Sequence, residues 1–164
     1  MQFINYFLSS LVSFSGLLIG IFLVKIAAEE QKPLRKYFAW AKRALLLLIF
    51  AFFIFYYHEN ILLSAVLSML LAALLFFEFT FKDSLKKSMA AYSALAFLFF
   101  FSSNNIKLFA IESSLILLYG MPAASLVYNR KSRDRYRMLL CNAIFIVIAN
   151  LLFSLYHFSF LILR

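Results

Sequence analysis

Glu112 is the side chain in this sequence best placed to do chemistry. It lies six residues into a long apolar stretch, and the nearest basic residue before it, Lys107, is five positions back. Six residues are about 9 Å of helical rise. A carboxyl at that depth in hydrocarbon is costly, and it marks either a hydrogen-bond network between helices or a proton, ion or solute path. A later apolar stretch carries Asn150, Ser154 and His157 at i, i+4 and i+7, which is one helix face. Counted along the helices, Glu112 and Ser154 reach about the same depth, ~24 Å from the basic ends of their stretches. If the two helices are neighbours, Glu112, Ser113, Asn150, Ser154 and His157 form one polar network. Asn142 falls roughly 80° around from Asn150 and is left out of it.

Pro122 follows Tyr119-Gly120-Met121 inside the stretch that holds Glu112. Proline removes one backbone hydrogen bond and clashes with the carbonyl four residues earlier, here Leu118, so a kink is expected. In transporters, interrupted helices present backbone groups to their cargo. The same stretch carries Ser113, Gly120 and Ala124 on one face, which suits close helix packing. Asn5, Ser9, Ser13, Gly16 and Gly20 share a narrow face of the first apolar stretch, and Gly16 and Gly20 form a GxxxG pair. Such a pair lets two helix backbones approach. Ser9, Ser13, Gly16, Gly20, Gly120 and Ala124 are therefore the expected packing residues. Glu78 stands four positions before Lys82, a spacing that suits a pair on one helix face near the membrane surface.

No zinc-binding His-Glu-x-x-His, no Gly-x-Ser-x-Gly elbow and no phosphate-binding glycine loop occurs. His157 with Ser154 and Glu112 is the sole nucleophile–base–acid set that can be drawn. His58 and Glu59 fit an exposed turn. Cys141 is the single cysteine, so it forms no disulfide within the chain and reads as a small apolar filler. Neither a cofactor nor a metal is implied, and an enzyme is the less favoured class.

The elements that must hold these residues are set by composition. The chain has 164 residues and is 65% hydrophobic, with a mean hydropathy of +0.92, well above the ~45–50% apolar content of a soluble domain. A span needs about 20 residues to cross the ~30 Å hydrocarbon layer. Six spans are expected, over about 4–27, 39–57, 61–81, 85–103, 106–128 and 138–163. The fourth is the weakest. Each must be helical, because an open strand leaves backbone groups unpaired in lipid. The expected fold is all-α, a single transmembrane domain built as a polytopic bundle of six helices. The hairpins show no residue-level repeat. Between the first two spans, Leu34, Tyr37, Phe38 and Ala41 recur at helical spacing among basic residues, with Trp40 beside them. That pattern fits a stretch lying at the headgroup level before turning inward.

Charge gives the expected threading. Of the 16 basic residues, six lie in 25–43, three in 82–87 and five in 129–137. Short Lys/Arg-rich loops stay on the cytoplasmic side. Both termini are therefore expected outside, in the plasma membrane, with the first stretch kept as an anchor. Lys32, Arg35, Lys36, Arg130, Lys131 and Arg133 are expected to meet anionic lipid headgroups at about 1 kcal/mol each. The net charge of +9 is thereby explained without nucleic acid. Three functions compete. The favoured one is a non-catalytic component or scaffold that packs with copies of itself or with other membrane subunits. The alternative is a small transporter or channel for protons, ions or a small solute, using Glu112 and the Asn150 face. A lipid-modifying enzyme is third, with no recognisable acid/base pair at the inner surface beyond Glu29, Glu30 and Asp134.

Overall fold

The computed structural model describes residues 2–27, 29, 31–80, 84–127 and 132–162. These form seven helices and no strand: α1 (Phe3–Ile26), α2 (Gln31–Tyr56), α3 (Ile61–Thr80), α4 (Ser84–Ser102), α5 (Ile106–Val127), α6 (Ser132–Asn142) and α7 (Ile144–Ile162). Five apolar segments are long enough to cross a membrane: Phe3–Ile26, Pro33–Tyr56, Ile61–Thr80, Ile106–Leu126 and Tyr136–His157.

The element boundaries follow local chemistry. The backbone turns tightly before α3 and α5, with Asn60 N–H donating to the Tyr57 carbonyl (3.0 Å) and Asn105 N–H to that of Ser102 (3.0 Å). Each asparagine then caps the next helix. Asn60 Oδ1 accepts from Leu63 N–H, and Asn105 Oδ1 accepts from Lys107 and Leu108 N–H. These bonds use donors that a helix start leaves free. Pro33 sits in the first turn of α2, where its missing N–H is harmless. The basic amphipathic stretch after it does not lie apart from the second span. It is the start of the same continuous 26-residue helix.

The last apolar stretch, a single candidate span over Tyr136–His157, is not one continuous helix. It is two helices joined at Ala143. Ala143 N–H still reaches Leu139 (2.8 Å), but Ile146 N–H bonds Ala143 three residues back (3.0 Å), a tighter turn than the α-helix uses.

The fourth helix is absent from the five strongly apolar segments, and its place in the bundle explains this. It packs on α3, α5, α6 and α7, and Tyr92, Leu95, Ala96 and Phe99 are fully enclosed. A helix surrounded by protein needs small and shaped residues more than lipid-facing ones. At the other extreme, Leu67 is the one buried residue among those described in α3.

Helices α1 and α5 make the broadest contact in the bundle. Gly16 lies against Leu117, Gly20 against Met121 and Ala124, and Gly120 against Gly16 and Leu17. Both sequences advance together, so the two helices run parallel. A Cβ on Gly16 would overlap the Leu117 carbonyl, and one on Gly120 would sit 2.5 Å from the Leu17 nitrogen. At the end away from the basic loops, aromatic rings close the bundle. Tyr6 stacks on Phe153 (4.1 Å between centroids) and meets Phe99 (5.1 Å), which meets Phe109 (4.7 Å).

Candidate functional site

Glu112 projects from α5 into the bundle and is 0% exposed. Neither carboxyl oxygen has a hydrogen-bond partner among the described residues. The α1/α5 register, in which Gly16 meets Leu117 and Gly20 meets Met121, sets Glu112 at the level of Ser10. Ser10 is also fully buried. Its hydroxyl donates to the Phe7 carbonyl (2.7 Å) and accepts from Asn150 Nδ2 (3.1 Å). Asn150 Nδ2 also donates to Ile146 (2.8 Å), while its Oδ1 is buried and unpartnered. The Tyr6 hydroxyl donates to the Ala149 carbonyl (3.2 Å) on the same helix, α7. Bonded polar groups of α1 and α7 thus lie between the glycine contact and the aromatic cap, and Glu112 on α5 stands at about their level without a bond to them among the described residues.

Of the residues expected to share this layer, Asn150 reaches the interior through Ser10. Ser154 and His157 do not. Both are exposed, and the His157 ring rests on Phe153 (4.4 Å) and Tyr156 (5.9 Å). Their helix face is that of Asn150, but α1 begins level with Phe153, where Phe3 meets it at 6.1 Å. Among the described residues, no ring or hydrogen-bond contact joins α1 to α7 beyond Phe153. The His157–Ser154–Glu112 set is therefore not assembled. Ser113 turns away from Glu112, donates to the Ala110 carbonyl (3.0 Å), and lines a shallow groove of about 210 Å³ with Ser9 and Ser114.

Pro122 is buried and α5 remains helical through it. It lines a cleft of about 470 Å³ between α1, α2 and α5, with Val24, Phe38, Leu45 and Leu118. Leu118, whose carbonyl proline leaves without its helical donor, borders the same cleft. Ser13 donates back to the Ser9 carbonyl (2.9 Å), and Ala124 faces Gly20.

Glu78 takes a partner that spacing does not suggest. Its carboxylate accepts two bonds from Lys42 on α2, at 2.9 and 3.1 Å. The lysine is 6% and the glutamate 11% exposed. Lys87, on α4, donates to the Glu78 backbone carbonyl, and the Arg43 guanidinium lies 4.8 Å over the Phe79 ring. Lys82, the expected partner, lies outside the described residues. So do Arg130 and Lys131. Arg35 and Lys36 are exposed on α2, and Lys32 and Arg133 belong to α2 and α6.

Lys42, Ser10, Tyr92 and Tyr119 are not singled out by the sequence as site residues, and Asn142, set apart from the Asn150 face, is fully buried. Lys42 sits in a basic run that reads as surface, and lone tyrosines and serines in apolar helices carry little signal by themselves. Comparison with known protein families, with curated proteins and with solved structures gives no match.

Proposed function

We propose that this chain is an integral membrane transporter or channel for protons or a small solute, with Glu112 as the group its cargo engages. One observation carries the reading: a fully enclosed carboxyl with neither oxygen bonded, in the middle of a helical bundle. Burying such a group is costly, most of all when it is charged, and packing gains nothing from it. The other strongly buried acid, Glu78, is paired with Lys42. A bundle selected for packing alone is better served by an apolar residue at 112.

In this reading the helices cross the plasma membrane with both termini outside. The basic loops lie on the cytoplasmic side, and Arg35, Lys36 and their neighbours meet anionic headgroups. The test is flux. Purified chain in sealed vesicles should carry protons or a small solute, and Glu112→Gln should abolish that flux without altering insertion. Flux that the substitution leaves intact would overturn the assignment of Glu112.

A second reading is a non-catalytic component that packs with copies of itself or with other membrane subunits. The exposure of α3 favours it, together with the uncovered face of α2 around Ala44, Leu48, Ala51 and Phe55. Copurification of a stoichiometric membrane subunit, with vesicles that show no flux, would support this reading over the first.

A further inference from the structure

A second level of buried polar groups lies nearer the basic end. Tyr92 stands eight residues from Ser84, the start of α4, and Tyr119 stands eight residues from Val127, the end of α5. Both are therefore about 12 Å into the bundle. Their rings meet edge to face at 5.7 Å. Both are fully enclosed, and neither hydroxyl has a partner.

Ser88, one turn before Tyr92 on the same face, is 1% exposed with its hydroxyl unpartnered. Asn142 closes α6, which packs on α4. It is fully buried with both amide atoms unpartnered. Phe145, just past the break at Ala143, touches the Tyr92 ring (6.1 Å) and holds this joint against α4. Lys87, the neighbour of Ser88 on α4, donates to the Glu78 backbone carbonyl, which brings Glu78, held by Lys42, to this end of the site.

Buried polar groups without protein partners are rare and demand an occupant. Here the three hydroxyls and one amide mix donors with acceptors and carry no net charge of their own. An ion of either sign would leave about half of these groups facing the wrong partner. Water both donates and accepts, and a buried water typically makes about three such bonds.

We infer that Ser88, Tyr92, Tyr119 and Asn142 enclose internal water, and that this water joins Glu112 to Glu78 as a proton route. Tyr119 is seven residues from Glu112 on one face of α5, about 10.5 Å along the axis. A proton leaving the Glu112 carboxyl passes by O–H exchange through water and the tyrosine hydroxyls. The Glu78 carboxylate accepts it and releases it to water at the basic end. One proton enters and one leaves, and no other reactant is consumed. The water site stands on these groups alone. The proton route rests on the transport reading of Glu112.

Hydroxyl-radical footprinting by X-ray radiolysis of the full chain in lipid nanodiscs tests the water site on the unaltered protein. Radicals formed from internal water should label Tyr92 and Tyr119 while sparing Tyr6, which is equally buried but bonded to Ala149. Asn142→Leu should reduce that labelling. Equal protection of all three tyrosines would overturn the site.

Proton flux tests the route. Tyr92→Phe with Tyr119→Phe keeps both rings and should remove flux. If the pair conducts normally while Glu112→Gln does not, the route fails and the role of Glu112 survives. Wild-type vesicles that pass no protons overturn the route, while labelling still decides the water.

Discussion

Lys42 and Glu78, thirty-six positions apart, are ion-paired at 2.9 Å in a nearly solvent-free position between α2 and α3. The pair ties α3 to α2, and α3 has few other enclosed contacts, with Leu67 its one buried residue among those described. Removing one partner leaves a buried charge unmatched. Lys42→Ala or Glu78→Ala should each cost about 3–5 kcal/mol, and replacing both with apolar residues of similar volume should restore most of it. Unfolding in detergent, followed by denaturant titration of all three variants, measures this as a double-mutant cycle. Additive losses would show that the two side chains do not act together.

The α1/α5 contact depends on the absence of side chains. Gly16→Ala puts a methyl into the Leu117 carbonyl, where backbone rather than a flexible side chain must give. Gly20→Ala meets Met121 at 2.6 Å. Overpacking of this kind costs about 1–3 kcal/mol. Ser15→Ala, in the same helix but donating only to its own Val12 carbonyl, should be nearly neutral. Thermal stability in nanodiscs separates the two classes.

Glu112 should show opposed effects on stability and activity. Glu112→Leu removes an unpartnered buried carboxyl and is expected to stabilise the fold by about 1–3 kcal/mol. The same substitution should abolish transport. Stability is measured by denaturant midpoint and transport by vesicle flux. A destabilised Glu112→Leu would mean that the carboxyl is a structural partner and not a group held ready for cargo.

How much of this was legible in the sequence depends on the range of each interaction. Helix content and extent follow from apolar runs of about 20 residues, and the capping of α3 and α5 follows from Asn60 and Asn105 beside those runs. The GxxxG pair on α1 is a local pattern, but its partner is not. Nothing near Gly16 names Leu117, a hundred positions away, as the backbone it meets. The Lys42–Glu78 pair fails to show for the same reason, and the nearer Lys82 attracts attention instead. Ser154 and His157 share a face with Asn150 on a helical wheel. A wheel does not record which neighbour a face meets, and both residues are exposed. The break at Ala143 has no proline or glycine to announce it.

Tyr6 ties α1 to α7 by two interactions that substitution can separate. Tyr6→Phe keeps the stack on Phe153 and loses the bond to the Ala149 carbonyl, so it should cost about 0.5–1.5 kcal/mol. Tyr6→Ala also forfeits the ring contacts with Phe99, Phe109 and Phe153, and should cost about 3–5 kcal/mol. A ratio near one between the two losses would mean that the hydroxyl, not the ring, holds the aromatic cap together.

The threading of the chain has its own measurement. The basic residues cluster where α1 meets α2, α3 meets α4 and α5 meets α6, most of them within the beginnings of α2, α4 and α6, and the opposite turns, at Asn60 and Asn105, carry few charges. The proposed threading follows if Lys/Arg-rich segments are retained on the cytoplasmic face, which would orient every helix at once. With Cys141 replaced by Ser, Asn60→Cys in intact cells should react with a membrane-impermeant thiol reagent. Ser132→Cys should react only after the membrane is permeabilised. Because the turns alternate, a reversed result at both positions would invert the whole bundle and place the Lys42–Glu78 end outside. Labelling of both positions in intact cells would mean that the segment between them crosses the membrane an even number of times, against the three crossings that the proposed threading assigns to α3, α4 and α5.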